Sequence, residues 1–95
     1  MTDEKKNELL YKMTENLTML RTKLGLTQSE LADIIGLSRF TLSAIENRQR
    51  KMTWNTFLSL LLVFKNNDEV GKILEVVGIY DDELNDFLNP AEARK

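Results

Sequence analysis

Apolar residues along this chain recur at three- and four-residue steps, and alternation at every second position persists nowhere. Leu10, Met13, Leu17, Leu20 and Leu24 form one such stripe, the pattern of a helix with one buried face. It predicts a helix over about 4–24, ended by Gly25. Thr27 and Glu30 stand at capping-box spacing and open a second helix over about 28–35, which stops at Gly36. Ser38 is the natural N-cap of a third, about 39–47, with Leu42 and Ile45 as its inward stripe. Thr53 caps a fourth, about 54–65, which carries Trp54, Phe57, Leu58, Leu60, Leu61, Leu62, Val63 and Phe64. A helix apolar on nearly all sides belongs at the centre of a core or in an interface. Asn67 and Asp68 start a fifth, with Val70, Ile73, Leu74 and Val77 at helical spacing and Gly78 at its end. A short helix over about 82–88 offers Leu84, Phe87 and Leu88 before Pro90, and Ala91 to Lys95 are expected to fray. The pattern predicts an all-α fold and, with no repeat, linker or low-complexity stretch, a single domain over 1–95.

The block Thr27 to Asn47 has the spacing of a helix-turn-helix, the unit that lays its second helix in the DNA major groove. Ala32 is small enough to let two helices cross closely. Gly36 stands where the chain reverses through a left-handed conformation. Leu31, Leu37, Leu42 and Ile45 fill the wedge between the helices, so these six positions read as scaffold.

Composition narrows the chemistry. The chain has 95 residues, a length that suits one modest core. Hydrophobic residues make up 42% and charged residues 29%, as in ordinary globular proteins. Cysteine and histidine are both absent, which removes thiol chemistry, the commonest general base and the commonest metal ligand. No Gly-rich phosphate loop is present, and Asp81, Asp82 and Glu83 look like helix-cap chemistry. No enzyme, cofactor or metal site is therefore expected. The charged N-terminus is no signal peptide, and no segment approaches the ~18 apolar residues of a membrane span. A cytoplasmic location is the default expectation. No effector domain is evident, which argues against small-molecule sensing.

Net charge is -2, but it is unevenly spread. Residues 1–65 hold 10 basic and 7 acidic side chains, a net of +3, and residues 66–95 hold 3 and 8, a net of -5. Arg39, Arg48, Arg50 and Lys51 face only Glu46 within 39–51. A basic patch on an acidic chain suits DNA binding by one face, although an ordinary solvated charge run has the same appearance. With Leu42 and Ile45 inward, the third helix turns Arg39, Phe40, Thr41, Ser43, Ala44 and Asn47 outward. Arg39 can fork onto guanine, and Thr41 or Ser43 can bond base edges or phosphates. Phe40 can meet a thymine methyl group; packing along the second helix or a subunit contact is the alternative. Gln28, beside the exposed N–H groups of a helix start, and Ser38 are candidates for the DNA backbone, as are Asn47, Arg48, Arg50 and Lys51. Glu46 reads as an ion-pair partner and Trp54 as core.

Leu20, Arg21, Lys23, Gly25, Leu26, Thr27, Gln28, Glu30, Leu31 and Ala32, followed by Gly36, Leu37, Ser38, Arg39, Thr41, Leu42, Ser43, Ile45, Glu46 and Asn47, carry a family pattern. Over Leu17 to Leu61 the chain resembles the XRE or Cro/C1-type helix-turn-helix family of bacterial and phage repressors. The resemblance implies a five-helix lambda-repressor-like domain, here with a short additional C-terminal helix in the extension at about 79–90. It implies binding to operator DNA as a homodimer on an inverted repeat, to control transcription. It also implies phosphate contact at Gln28, base reading from Arg39, Phe40, Thr41 and Ser43, and backbone contact around Asn47 and Arg48. The chain departs from the family in two places. Arg48 stands where Gly is usual, which puts Asn47 or Arg48 in a left-handed conformation, and the usual Pro near Met52 is missing.

A regulator reading DNA with helix 39–47, acting as a repressor, is the leading expectation. The segment Ile79, Tyr80, Leu84, Phe87 and Leu88 either supplies a dimer contact or closes the monomer core. The alternative is an antitoxin or adaptor whose main partner is a protein, bound through the acidic C-terminal segment and Phe87, with DNA binding secondary.

Overall fold

The computed structural model describes residues 1–94. Its helices are α1 (Asp3–Lys23), α2 (Gln28–Ile35), α3 (Arg39–Glu46), α4 (Trp54–Lys65), α5 (Asp68–Val76), α6 (Asp82–Leu88) and α7 (Pro90–Ala93). No strand occurs among the described residues. Most helix starts are set by local chemistry. Thr2, Thr27, Ser38, Thr53, Asn67 and Asp81 each accept a hydrogen bond from a first-turn backbone N–H. That bond satisfies a donor the helix itself leaves unpaired.

The apolar stripes converge on one core: Leu9, Met13, Leu17 and Leu20 of α1, Leu31 and Ala32 of α2, Leu42 and Ile45 of α3, and Phe57, Leu60, Leu61 and Phe64 of α4, with Met52 of the α3–α4 loop. Val70 and Leu74 of α5, then Ile79 and Leu84, close its far side. Leu9 rather than Leu10 begins the buried face of α1, since Leu9 lies one turn before Met13. Leu10 is left half-buried. Nor is α4 enclosed all round: Leu62 points to solvent, while its four buried residues face the core.

In the C-terminal region one expectation changes and one open alternative narrows. Pro90 opens a further helical turn, α7, where fraying is expected; proline suits a first helical position because its missing N–H would be unpaired there anyway. Lys95 lies outside the described residues. Ile79 and Leu84 are fully buried in the chain's own core, so they are not surface for a dimer contact. The segment is fastened to α1 by Lys5, whose ammonium donates to the Asp81 carboxylate. Trp54 stacks on Phe57 with ring centroids 4.8 Å apart and meets Phe87 edge-on at 6.3 Å. Lys6 lies over both Trp54 and Phe87. Phe87 is thus partly covered, with 40% of its surface still open.

Candidate nucleic-acid interface

The start of α2 and the turn that follows it are held by short-range bonds. Thr27 Oγ1 accepts from the Glu30 N–H at 3.1 Å, and the Thr27 N–H donates to Glu30 Oε1 at 2.9 Å. The Thr27 N–H holds the Glu30 carboxyl below its ordinary range. Gly36 takes φ 78°, and the Leu37 N–H then reaches back to the Ala32 carbonyl at 2.9 Å. Ala32 is buried at the crossing of α2 with α3.

A charged network locks α3 to α1. Arg21 donates from Nε to Glu46 Oε2 at 2.9 Å and from Nη2 to Oε1 at 3.1 Å. Its Nη1 donates to the Leu26 carbonyl at 2.9 Å. The Thr18 hydroxyl adds a bond to Glu46 Oε1 at 2.8 Å. The Glu46 side chain is only 3% exposed. Burial pushes its carboxyl upward, but hydrogen bonds from Arg21, Thr18 and Gln28 outweigh that and leave it below the ordinary range. Glu46 is therefore the ion-pair partner expected of it. Arg21 and Thr18, which complete the network, were not singled out by residue reasoning; the signal available was Arg21 at its place in the family pattern.

With Leu42 and Ile45 buried, α3 turns its other face outward. Arg39, Phe40 and Asn47 are exposed, Phe40 at 81%, and Thr41, Ser43 and Ala44 are half-buried beside them. Phe40 does not pack along α2. Ser38 Oγ accepts the Thr41 N–H at 3.1 Å and donates to Thr41 Oγ1 at 2.9 Å, which leaves the Thr41 hydrogen free to donate. Gln28 is half-buried beside Glu46. Arg48 adopts φ 60°, the left-handed conformation that the missing glycine requires, and pairs with Glu15 of α1 at 2.8 Å. Arg39, Arg50 and Lys51 have no acidic partner among the described residues. The expected residues thus lie at the start of α2, along α3 from its N-cap Ser38, and in the loop after it, with Gln28 and Arg48 already holding protein partners.

A family model described as helix-turn-helix matches residues 17–60. The chain carries an XRE-type helix-turn-helix. No curated protein and no solved structure matches it. A module of this type is a DNA-binding unit of transcription regulators. Within the matched residues, α2 and α3 are the two helices joined by the tight turn at Gly36. No cluster of three or more acidic side chains able to hold a metal ion is found among the described residues. No helix among them is long and apolar enough to cross a membrane.

Proposed function

We propose that the protein is a sequence-specific DNA-binding transcriptional regulator, acting as a repressor and reading the major groove with α3. One observation carries the reading: α3 presents an unpaired Arg39 and a largely bare Phe40, while its other face is bolted to the fold by Leu42, Ile45 and Glu46. A rigidly held helix with a free arginine and an apolar contact suits guanine and the thymine methyl group. Arg39, Phe40, Thr41 and Ser43 read bases in this proposal. Gln28, Ser38, Asn47, Arg48, Arg50 and Lys51 follow the backbone, with Gln28 and Arg48 giving up or sharing Glu46 and Glu15 to do so. Two copies would address an inverted repeat with half-sites about one helical turn apart. Phe87 and Leu88 remain available for a dimer contact, at 40% and 43% exposure.

A second reading rests on those same two side chains. They sit on a segment bearing Asp81, Asp82, Glu83 and Asp86, which suits a basic protein partner of an antitoxin or adaptor. Selection from a random duplex library at near-physiological salt separates the two. An enriched inverted repeat supports a dimeric sequence reader, and a single enriched half-site a monomeric one. No enrichment by folded protein overturns the DNA reading in favour of the protein partner.

A further inference from the structure

Beside the basic loop, a cleft of about 360 Å³ opens between α1 and the residues after α3. Leu10, Tyr11 and Glu15 stand on one wall, and Arg48, Arg50, Lys51 and Met52 on the other. Its surface is mostly apolar; Tyr11 is exposed and Leu10 half-buried there, while Met52 is only 6% exposed. Three cations face one carboxylate there, and that carboxylate, Glu15, is taken by Arg48. Arg50 and Lys51 are left unpaired at the rim.

Phosphate contact alone does not account for this arrangement. Phosphates need cations, and an apolar floor adds nothing to their binding. A mostly apolar concavity with a few anchoring charges is the pattern of small-molecule sites, whose volumes run from about 300 to 1,000 Å³. Tyr11 is 66% exposed on this wall, a large ring left uncovered by its own fold. We propose that the cleft binds a small amphipathic anion, an aryl or acyl carboxylate, with its apolar body on Leu10 and Tyr11 and its carboxylate at Arg50 and Lys51. Those two cations also belong to the proposed DNA-backbone set, so ligand and duplex exclude one another. The binding site stands on the cleft itself; only the competition rests on the DNA reading. The site is formed by α1 and the loop after α3, so sensing here needs no separate effector domain.

The probe is 2-naphthoate, titrated into isotope-labelled full chain and followed by NMR, with neutral 2-naphthamide as control. Saturable shifts confined to Leu10, Tyr11, Arg50, Lys51 and Met52, and absent with the amide, are expected. Tyr11→Ala should weaken naphthoate by about tenfold or more and leave duplex affinity unchanged. Lys51→Glu, on the surface, should abolish naphthoate binding in a folded chain. Naphthoate should raise the apparent duplex Kd in proportion to its concentration, as a competitor for the same two cations does. Scattered shifts, or equal shifts with the amide, overturn the anion site. Cleft binding without any effect on a bound duplex overturns the competition. If no duplex binds at all, the naphthoate titration still decides the cleft.

Discussion

Arg48 stands at φ 60°, among the described residues the one non-glycine at positive φ. A Cβ in that conformation crowds its own backbone by roughly 1–2 kcal/mol. The loop adopts it because the Gln49 and Arg50 N–H groups then reach the Ala44 carbonyl, at 2.8 and 3.2 Å, and end α3. Arg48→Gly and Arg48→Ala both lose the Glu15 ion pair, so the difference between them isolates the strain. The glycine variant should be the more stable by about 1 kcal/mol in urea denaturation, the reverse of the usual order inside a helix. Equal stabilities would mean that the left-handed turn carries no strain. Arg39 and Arg50 differ in another way. Arg39→Ala should lose about 1–3 kcal/mol of duplex affinity and relax preference at one base position. Arg50→Ala should weaken all sequences alike and reduce the salt slope by about one. Binding titrations across a panel of duplexes and salt concentrations check both, and identical behaviour would remove base reading from α3. At this scale much was legible in advance: the caps at Thr27, Ser38 and Thr53, and strain at Asn47 or Arg48, follow from neighbours in sequence. The pairing of Arg48 with Glu15 does not, because 33 positions separate them.

At the scale of elements, the crossing of α2 over α3 depends on one small side chain. Ala32 is 1% exposed there, and Leu31 and Leu42 fill the space around it. Ala32→Leu adds volume to a packed crossing and should cost about 1–3 kcal/mol by thermal or urea denaturation. An unchanged melt would contradict the close approach. The first six helices were legible, since each is capped by a side chain and periodic. What periodicity leaves open is the exact face. Leu9 and Leu10 are adjacent apolar residues at the start of α1, and only the packing of α1 selects Leu9. The same limit applies to α4, where an apolar run hides the fact that Leu62 faces water. The turn at Pro90–Ala93 escapes a reading based on hydrophobic stripes because it buries nothing.

For the molecule as a whole, charged clamps tie distant segments to one core. Arg21 and Glu46 join α1 to the end of α3, and Lys5 and Asp81 join α1 to the start of α6. Burial opposes the charge on Asp81, but the hydrogen bond from Lys5 and those that follow it leave its carboxyl below the ordinary range. Lys5 moves the other way, raised chiefly by its bond to Asp81. A lowered carboxyl stabilises the fold fully above its unfolded value and loses that contribution as pH falls through the folded value. The stability conferred by Glu46 should therefore hold above its ordinary value of 4.5 and decline below it. The contribution of Lys5 should persist until pH rises above its ordinary 10.5. Glu46→Gln should be less stable than the parent at neutral pH, with the gap narrowing on acidification. Melting temperatures of both chains across the acid range test this, and a gap independent of pH would show that the charge of Glu46 does not matter.

Local physics thus wrote the helix boundaries, the turn at Gly36 and the outward face of α3 into the sequence, because caps, glycine geometry and helical period act over a few residues. Tertiary structure decided which free cations remain. It gave Arg48 to Glu15, Arg21 to Glu46 and Lys5 to Asp81, and it left Arg39, Arg50 and Lys51 without an acidic partner among the described residues. It also buried Ile79 and Leu84 while setting Tyr11 and Met52 on opposite walls of a cleft. Ion pairs and clefts join residues far apart in the chain, and their partners are fixed only when the helices pack.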